Sequence, residues 1–105
     1  MKPVVPRRRA ERDIENAFNG YLSAAGPDAA MAFVDALERA MSHISRQPGS
    51  GSPRYGHELN IPGLRHWPLR KYPHLIFYLE YAGHVEVWRV LHSHSDVPSW
   101  MQSSE

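Results

Sequence analysis

The stretch LIFYLEYAGHVEVWRVLH, residues 75–92, decides the fold because it reads as two β-strands joined by a tight turn. Leu75–Tyr81 and Val85–His92 are rich in aromatic and β-branched residues, and only Ala82 and Gly83 clearly separate them. A two-residue connection predicts an antiparallel hairpin. The first strand is almost continuously apolar, which predicts a central position in a sheet, since a strand buried on both faces loses its polar alternation.

A third β-rich run, Leu64–Arg70, precedes this hairpin. Pro68 lacks a backbone donor, so this strand is expected either to lie at an edge or to leave that position unpaired. Before it, Gln47–Tyr55 has the proline and glycine content of a loop and no helical stripe. After the hairpin, Asp96, Val97 and Pro98 predict a stop, and Trp100 and Met101 predict a short closing turn on the sheet.

The first half of the chain predicts a helical hairpin. After an extended start at residues 1–5, Pro6 can open a helix whose apolar positions follow three-and-four spacing: Ala10, Ile14, Ala17, Phe18, Tyr21 and Leu22. Gly26 and Pro27 interrupt the pattern, and Asp28 suits the first turn of a second helix that runs to about Arg46. The predicted fold class is therefore α+β: an N-terminal strand, an α-helical hairpin, then a three-stranded antiparallel β-sheet packed on the helices.

Composition narrows the possible classes of protein. The 105 residues suit one compact core, so we expect a single domain over 1–105. The absence of cysteine excludes disulfides, thiolate metal sites and thiol nucleophiles. No apolar run is long enough to cross a bilayer and no secretion signal is evident, so we expect a soluble cytoplasmic protein without membrane contact.

Charge is unevenly distributed although the formal net charge is only +1. Between Arg54 and His74 the cations Arg54, Arg65, Arg70 and Lys71 face a single carboxylate, Glu58. Three histidines lie in the same segment. Because steering of partners depends on the local field, this segment is a candidate surface for a polyanion.

Four parts of the chain resemble toxins of the RelE/ParE family: Pro62–Arg65, Tyr72–Tyr78, Arg89–His92 and Asp96. Ala10, Asp13 and Ile14 in the first helix fit the same pattern, and the resemblance runs from that helix to Pro98. The resemblance implies a twisted antiparallel sheet with two helices on one face and a basic surface on the other. It also implies that a cognate antitoxin holds the toxin inactive in a hetero-oligomer.

The family has two branches with different targets. RelE-like toxins cut messenger RNA in the ribosome, whereas ParE-like toxins inhibit DNA gyrase. The strand from Tyr72 to Tyr78 and the ending from Arg89 to Asp96 look more like the ParE branch. We therefore expect the toxin of a type II toxin–antitoxin system of the plasmid-stabilising kind, which is neutralised by a ParD-like antitoxin, blocks gyrase and replication, and reaches operator DNA only through that antitoxin.

Two other functions stay open at this stage. One is a ribosome-dependent mRNA endonuclease of the RelE type, and the other is an inert member kept only as half of an operator-binding repressor pair. Under the endonuclease hypothesis Arg65 and Arg89 would bind phosphate and His92 would move the proton. The chain has no tyrosine after Tyr81, where RelE-like enzymes tend to place an aromatic hydroxyl or a histidine, and this departure weakens that hypothesis.

The residues proposed to bind the target are Arg65, Arg70, Lys71 and Arg89. Guanidinium groups suit phosphate because their planar fork makes paired hydrogen bonds. Alternation along a strand would put Arg65 and Lys71 on one face and Arg70 on the other. The alternatives are solvated edge charges, a structural ion pair of Arg65 and, for Arg89 in its apolar strand, a buried pair with Glu80 or Asp96.

His92 also has a structural interpretation, in which it holds the following turn by hydrogen bonds together with Asp96. The run from His92 to Asp96 alternates histidine and aspartate positions and so suggests a metal site, but Val97 stands where a further histidine ligand would be needed. We therefore expect no metal and no cofactor.

The helical stripes predict the cover of the sheet and, by the resemblance, part of the antitoxin interface. The residues expected to contact the antitoxin are Ile14, Phe18, Phe33, Leu37, Trp67 and Trp100. Trp67, Trp88 and Trp100 fit either core packing or antitoxin contact better than stacking on a nucleobase.

Overall fold

The computed structural model describes residues 1–94 and 97–101, with the side chain of Trp100 excepted. Its helices and strands follow in this order: β1 (Val4–Pro6), α1 (Arg8–Ala25), α2 (Pro27–Arg46), a 3₁₀ turn (Pro48–Ser50), α3 (Arg54–Glu58), β2 (Arg65–Pro68), β3 (His74–Glu80), β4 (Val85–His92) and α4 (Val97–Met101). The predicted α+β order is confirmed. The segment predicted as a loop holds the 3₁₀ turn and the start of α3.

The sheet has four strands in the order β1-β4-β3-β2. The β2–β3 and β3–β4 pairs are antiparallel, as predicted, whereas β1 pairs with β4 in parallel, with Val4 opposite Val85. Pro6 is the last residue of β1 and the helix starts at Arg8, later than expected. The sequence shows β1 only weakly because a strand of three residues has too few positions to display a period.

Strand β2 lies at the edge, which is the first of the two alternatives predicted from Pro68, and its outward edge is already occupied at His66. The backbone N–H and carbonyl of His66 both pair with Ser52, at 3.0 and 2.9 Å. Pro68, the next outward position, has no N–H to offer. This edge therefore presents no free ladder on which another strand could build.

The closing hairpin forms as predicted, with the N–H of Tyr81 donating to the carbonyl of His84 at 2.8 Å across Ala82 and Gly83. Further along, Phe77 lies opposite Arg89 and Tyr78 opposite Val87, so Trp88 is an extra residue in β4. A β-bulge of this kind changes which face the later side chains of a strand meet.

The helical hairpin covers one face of the sheet. Gly26 joins α1 to α2 at a φ of 92°, a left-handed conformation that glycine adopts without steric cost. The second stripe and most of the first pack onto the sheet as predicted, in a core that includes Ala10, Phe33, Leu37, Ile44, Ile76, Tyr78, Val85 and Val87. Of the first stripe, Leu22 is exposed and Phe18 lies outside this core.

The second face of the sheet is also covered. Leu64, Phe77, Leu91, Val97 and Met101 form a second buried cluster, which α3 and α4 close from outside together with partly buried residues such as Tyr55 and Trp88. The expectation of an exposed basic surface on this face is therefore wrong. The apolar residues of the 54–64 segment and of the C-terminal turn fold over the sheet because its second face is apolar too.

One polar contact joins α1 to β4. The carboxylate of Asp13 accepts hydrogen bonds from Nε and Nη2 of Arg89, at 2.7 and 2.8 Å, and from the backbone N–H of Val90 at 3.0 Å. The two side chains are 12% and 7% exposed. The predicted alternative of a buried ion pair for Arg89 is thus confirmed, but its partner is Asp13. Glu80, one partner suggested for it, pairs instead with Lys2, and Asp96 lies outside the described residues.

Replacing Asp13 by alanine is expected to lower the free energy of unfolding by about 3 kcal/mol. The loss arises because the buried guanidinium of Arg89 and the backbone N–H of Val90 no longer have a hydrogen-bond acceptor. Urea denaturation measures this loss. Combining Asp13→Ala with Arg89→Met removes the stranded charge and should restore part of the stability. Glu11→Ala, an exposed carboxylate on the same helix, is the control and should change stability by less than about 0.5 kcal/mol. An equal effect of the two single variants contradicts the role of Asp13.

Candidate functional site

The four cations predicted to bind the target do not come together. Arg65 is half-buried, and its Nη1 donates to the carbonyl of Gly51 at 2.7 Å. Arg89 is buried against Asp13. Arg65 lies on β2 and Arg89 on β4, strands about 10 Å apart with β3 between them, and each guanidinium is bound to a different partner. They cannot hold one phosphate jointly.

Arg70 and Lys71 have a different environment. Strand β2 ends at Pro68, so these two side chains lie in the turn before β3, and the strand alternation expected of Arg65, Arg70 and Lys71 does not apply. Both side chains are exposed. Lys71 has a φ of 69°, and this left-handed residue turns the chain sharply back toward β3.

These two cations border a groove between α2 and the edge of the sheet, which we call the α2–β2 groove. It has a volume of about 920 Å³ and is lined by Ala32, Ala36, Arg39, Ala40, His43, Trp67, Pro68, Leu69, Arg70, Lys71 and Tyr72. Among these lining residues every permanent charge is positive. The groove is a concave surface that carries two of the four predicted target-binding residues, Arg70 and Lys71.

The floor of the groove is formed by small apolar side chains. Ala32, Ala36 and Ala40 recur every four residues along α2 and therefore lie on one face of the helix. Opposite them, Trp67 stacks on His43 with ring centroids 4.0 Å apart and planes at 18°. A nitrogen of His43 lies 2.8 Å from Oγ of Ser50, so the 3₁₀ turn fixes the ring.

A buried tyrosine holds that 3₁₀ turn in place. The hydroxyl of Tyr78 donates to the carbonyl of Pro48 at 2.6 Å and accepts from the N–H of Gly51 at 3.0 Å. Burial raises the pKa of Tyr78, so the hydroxyl stays protonated and able to donate. Arg65 completes this anchor through Gly51. Sequence reasoning missed it because a contact over 30 residues leaves no local pattern.

His92, the candidate proton carrier, lies at a second and smaller cleft of about 270 Å³ that is also lined by Asp13, Asn16 and His74. Its ring is exposed, and its Nδ1 accepts the N–H of His94 at 3.2 Å. This bond fits the structural interpretation of His92, although Asp96 is not among the described residues. Arg65 is bound by Gly51 and Arg89 by Asp13, so the three residues of the endonuclease hypothesis do not form one constellation.

The residues expected to contact the antitoxin divide by burial. Phe33 and Leu37 are buried in the core between the helices and the sheet. Ile14, Phe18 and Trp67 keep part of their surface exposed. A helical stripe identifies apolar positions but does not tell which of them the sheet will cover.

The structure can be compared with known proteins. A solved structure titled "Chromosomal ParDE TA system from P. aeruginosa" has the same fold, with a TM-score of 0.72 and 19% sequence identity over 88% of this chain and 96% of that chain. No curated protein matches the sequence. Among the described residues, no helix has the length and apolar character needed to cross a membrane.

The fold is thus the one seen in that solved structure, a helical hairpin packed on a sheet. The family model for the ParE toxin of the type II toxin–antitoxin system parDE matches residues 4–97, and the chain belongs to that family. The resemblance noted in the sequence is therefore confirmed.

Two partly buried histidines, His66 and His74, make the stability of the fold depend on pH. The pKa of His74 is lowered below its ordinary value of 6.5. Burial is the larger cause and the charge of nearby His92 is the smaller one. The pKa of His66, on the other face of the sheet, is also lowered, mainly by burial and to a smaller extent by the charge of Arg54. In both cases the unfolded chain binds protons more readily than the folded one, so stability is complete above pH 6.5 and falls as the pH drops through the folded-state pKa.

Replacing His74 by phenylalanine is therefore expected to reduce the loss of stability between pH 7 and pH 5, since the ring remains but the titrating group goes. The free energy of unfolding from urea titrations at several pH values provides the measurement. His66→Phe should remove a separate part of the loss, and the double variant should combine the two. A pH slope that is the same in His74→Phe as in the unmodified protein contradicts this origin.

Proposed function

We propose that this chain inhibits DNA gyrase, and so replication, when it is free of its antitoxin, and that a ParD-like antitoxin neutralises it in the cytoplasm. Its place in the parDE toxin family supports the antitoxin partnership. The observation that carries the choice of a non-catalytic mechanism is the state of Arg89: its guanidinium is bound to Asp13 and 6% of the residue is exposed. A cation needed for phosphate chemistry would have to be released from a buried ion pair.

The antitoxin segment is proposed to lie along the helices and the α2–β2 groove. Ile14, Phe18 and Trp67 offer partly exposed apolar surface for it. The pairing of His66 with Ser52 and the proline at position 68 argue against addition of an antitoxin strand to β2. Contact with operator DNA would come through the antitoxin in the hetero-oligomer.

One observation favours the RelE-type alternative. His92 is exposed and lies beside His74, with ring centroids 5.6 Å apart, at the mouth of the smaller cleft. An accessible imidazole can accept or donate a proton. This candidate therefore deserves a direct test against the gyrase function.

Expression of the chain without its antitoxin is expected to arrest growth with filamentation and DNA damage, and purified protein should inhibit supercoiling by gyrase. His92→Gln should keep both effects, because the proposed mechanism needs no proton transfer. Growth and a supercoiling assay on relaxed plasmid provide the measurements, and co-expression of the antitoxin from the neighbouring reading frame is the control.

Three other outcomes contradict the proposal. Rapid loss of translation with cut transcripts, abolished by His92→Gln, indicates the endonuclease. Normal growth at full expression indicates an inert member. Growth arrest that the neighbouring frame does not relieve contradicts the antitoxin partnership.

A further inference from the structure

We propose that the α2–β2 groove is the surface by which the free toxin recognises its target, and that it binds an acidic protein segment whose carboxylates meet Arg39, Arg70 and Lys71. The inference rests on the proposed function, in which the target is a protein, and adds the surface and the chemistry of the contact.

The accessible cations point to this groove. Of the four arginines and lysines predicted to bind the target, Arg65 and Arg89 are held by Gly51 and Asp13, whereas Arg70 and Lys71 are exposed on the groove wall. Arg39 on α2 adds a third exposed cation to the same groove. Within the described part of the chain, none of these three side chains forms a salt bridge. Like charges around one concavity raise each other's energy, and a carboxylate-bearing partner relieves that repulsion.

The floor between these cations favours a protein segment over a nucleic acid. Ala36, Ala40 and Leu69 are buried beneath the groove, whereas Ala32 and Pro68 are exposed and Trp67 and Tyr72 are partly exposed. These last four offer apolar surface that can cover apolar side chains, of which a phosphate backbone offers few. The whole chain carries 12 Lys and Arg against 11 Asp and Glu. Nucleic-acid binders usually present a strongly basic surface, since their affinity comes mainly from neutralised phosphates.

The small side chains of α2 fit a partner that approaches closely. Alanines at every fourth position leave room for the backbone of a bound segment, while Trp67, fixed by its stack on His43, offers a rigid aromatic wall. Rigid aromatic residues beside charged ones are the usual anchors of protein interfaces. An amphipathic segment with an apolar face and acidic flanks matches this arrangement.

A consequence follows for neutralisation. If the groove recognises the target, an antitoxin segment bound in the groove blocks the target from binding there. Neutralisation then needs no change in the toxin's fold. Target and antitoxin then compete for Arg39, Arg70 and Lys71.

The test uses Arg39→Glu, Arg70→Glu and the double variant, with Arg12→Glu as the matched control. Arg12 is exposed on α1, away from the groove, and undergoes the same change of charge. Each purified full-length protein is assayed for inhibition of gyrase supercoiling and for binding to the co-purified antitoxin. Far-UV circular dichroism and thermal unfolding verify that each variant is folded.

Each groove variant is expected to need about tenfold more protein for half-inhibition of supercoiling, and the double variant about a hundredfold more, as for charge reversal at an interface. The control should stay within about twofold. Antitoxin affinity should fall in the same variants, and both effects should shrink as NaCl is raised from 50 to 500 mM.

Other results overturn the proposal in distinguishable ways. Folded groove variants that inhibit gyrase as well as the control does contradict the groove as target surface and leave the proposed function standing. Loss of inhibition with unchanged antitoxin affinity contradicts competition. Binding of duplex DNA alone by the unmodified protein, lost in the groove variants, shows that the ligand is nucleic acid. Unmodified protein that leaves supercoiling untouched contradicts the proposed function and the inference together.

Discussion

The hydrogen bonds of the Asp13 carboxylate with Arg89 and with the N–H of Val90 are the constraint on which the arrangement of the molecule depends. Strand β1 covers β4 only as far as Val87, so the edge of β4 beyond it needs another partner. Asp13 supplies one from α1 and thereby fixes the helical hairpin against the sheet. Because a buried charge is tolerated only with its counter-ion, each side chain of the pair requires the other.

This constraint also limits where function can reside. It removes Arg89 from the accessible cations, while the anchor of the 48–51 turn occupies Arg65 through Gly51. The helices cover one face of the sheet and a second core covers much of the other. Within the described part of the chain, the α2–β2 groove is a surface that this packing leaves open, and the exposed Arg39, Arg70 and Lys71 all line it.

Several site residues were identifiable by type but not by environment. The sequence singles out Arg70 and Lys71 because of the basic segment around them, and it suggests a buried pair for Arg89 because an arginine interrupts an apolar strand. The sequence does not identify Arg39 as a site residue, because α2 carries charges of both signs. Only the fold brings Arg39 to the same groove as the turn that holds Arg70 and Lys71. Phe33 and Phe18 belong to similar stripes, yet the sheet buries the first and leaves part of the second exposed.

The sequence by itself determined the order of the N-terminal strand, the helical hairpin and the three later strands, the hairpin around Ala82 and Gly83, and the family. These follow from local periodicity, turn chemistry and short motifs, and Pro68 restricted its strand to an edge or to an unpaired position. Only the tertiary structure decided the parallel pairing of β1, the bulge at Trp88, the partnership of Asp13 with Arg89 and the groove. Those features join residues far apart in the chain, and their energy depends on burial and distance, which the order of residues alone does not contain.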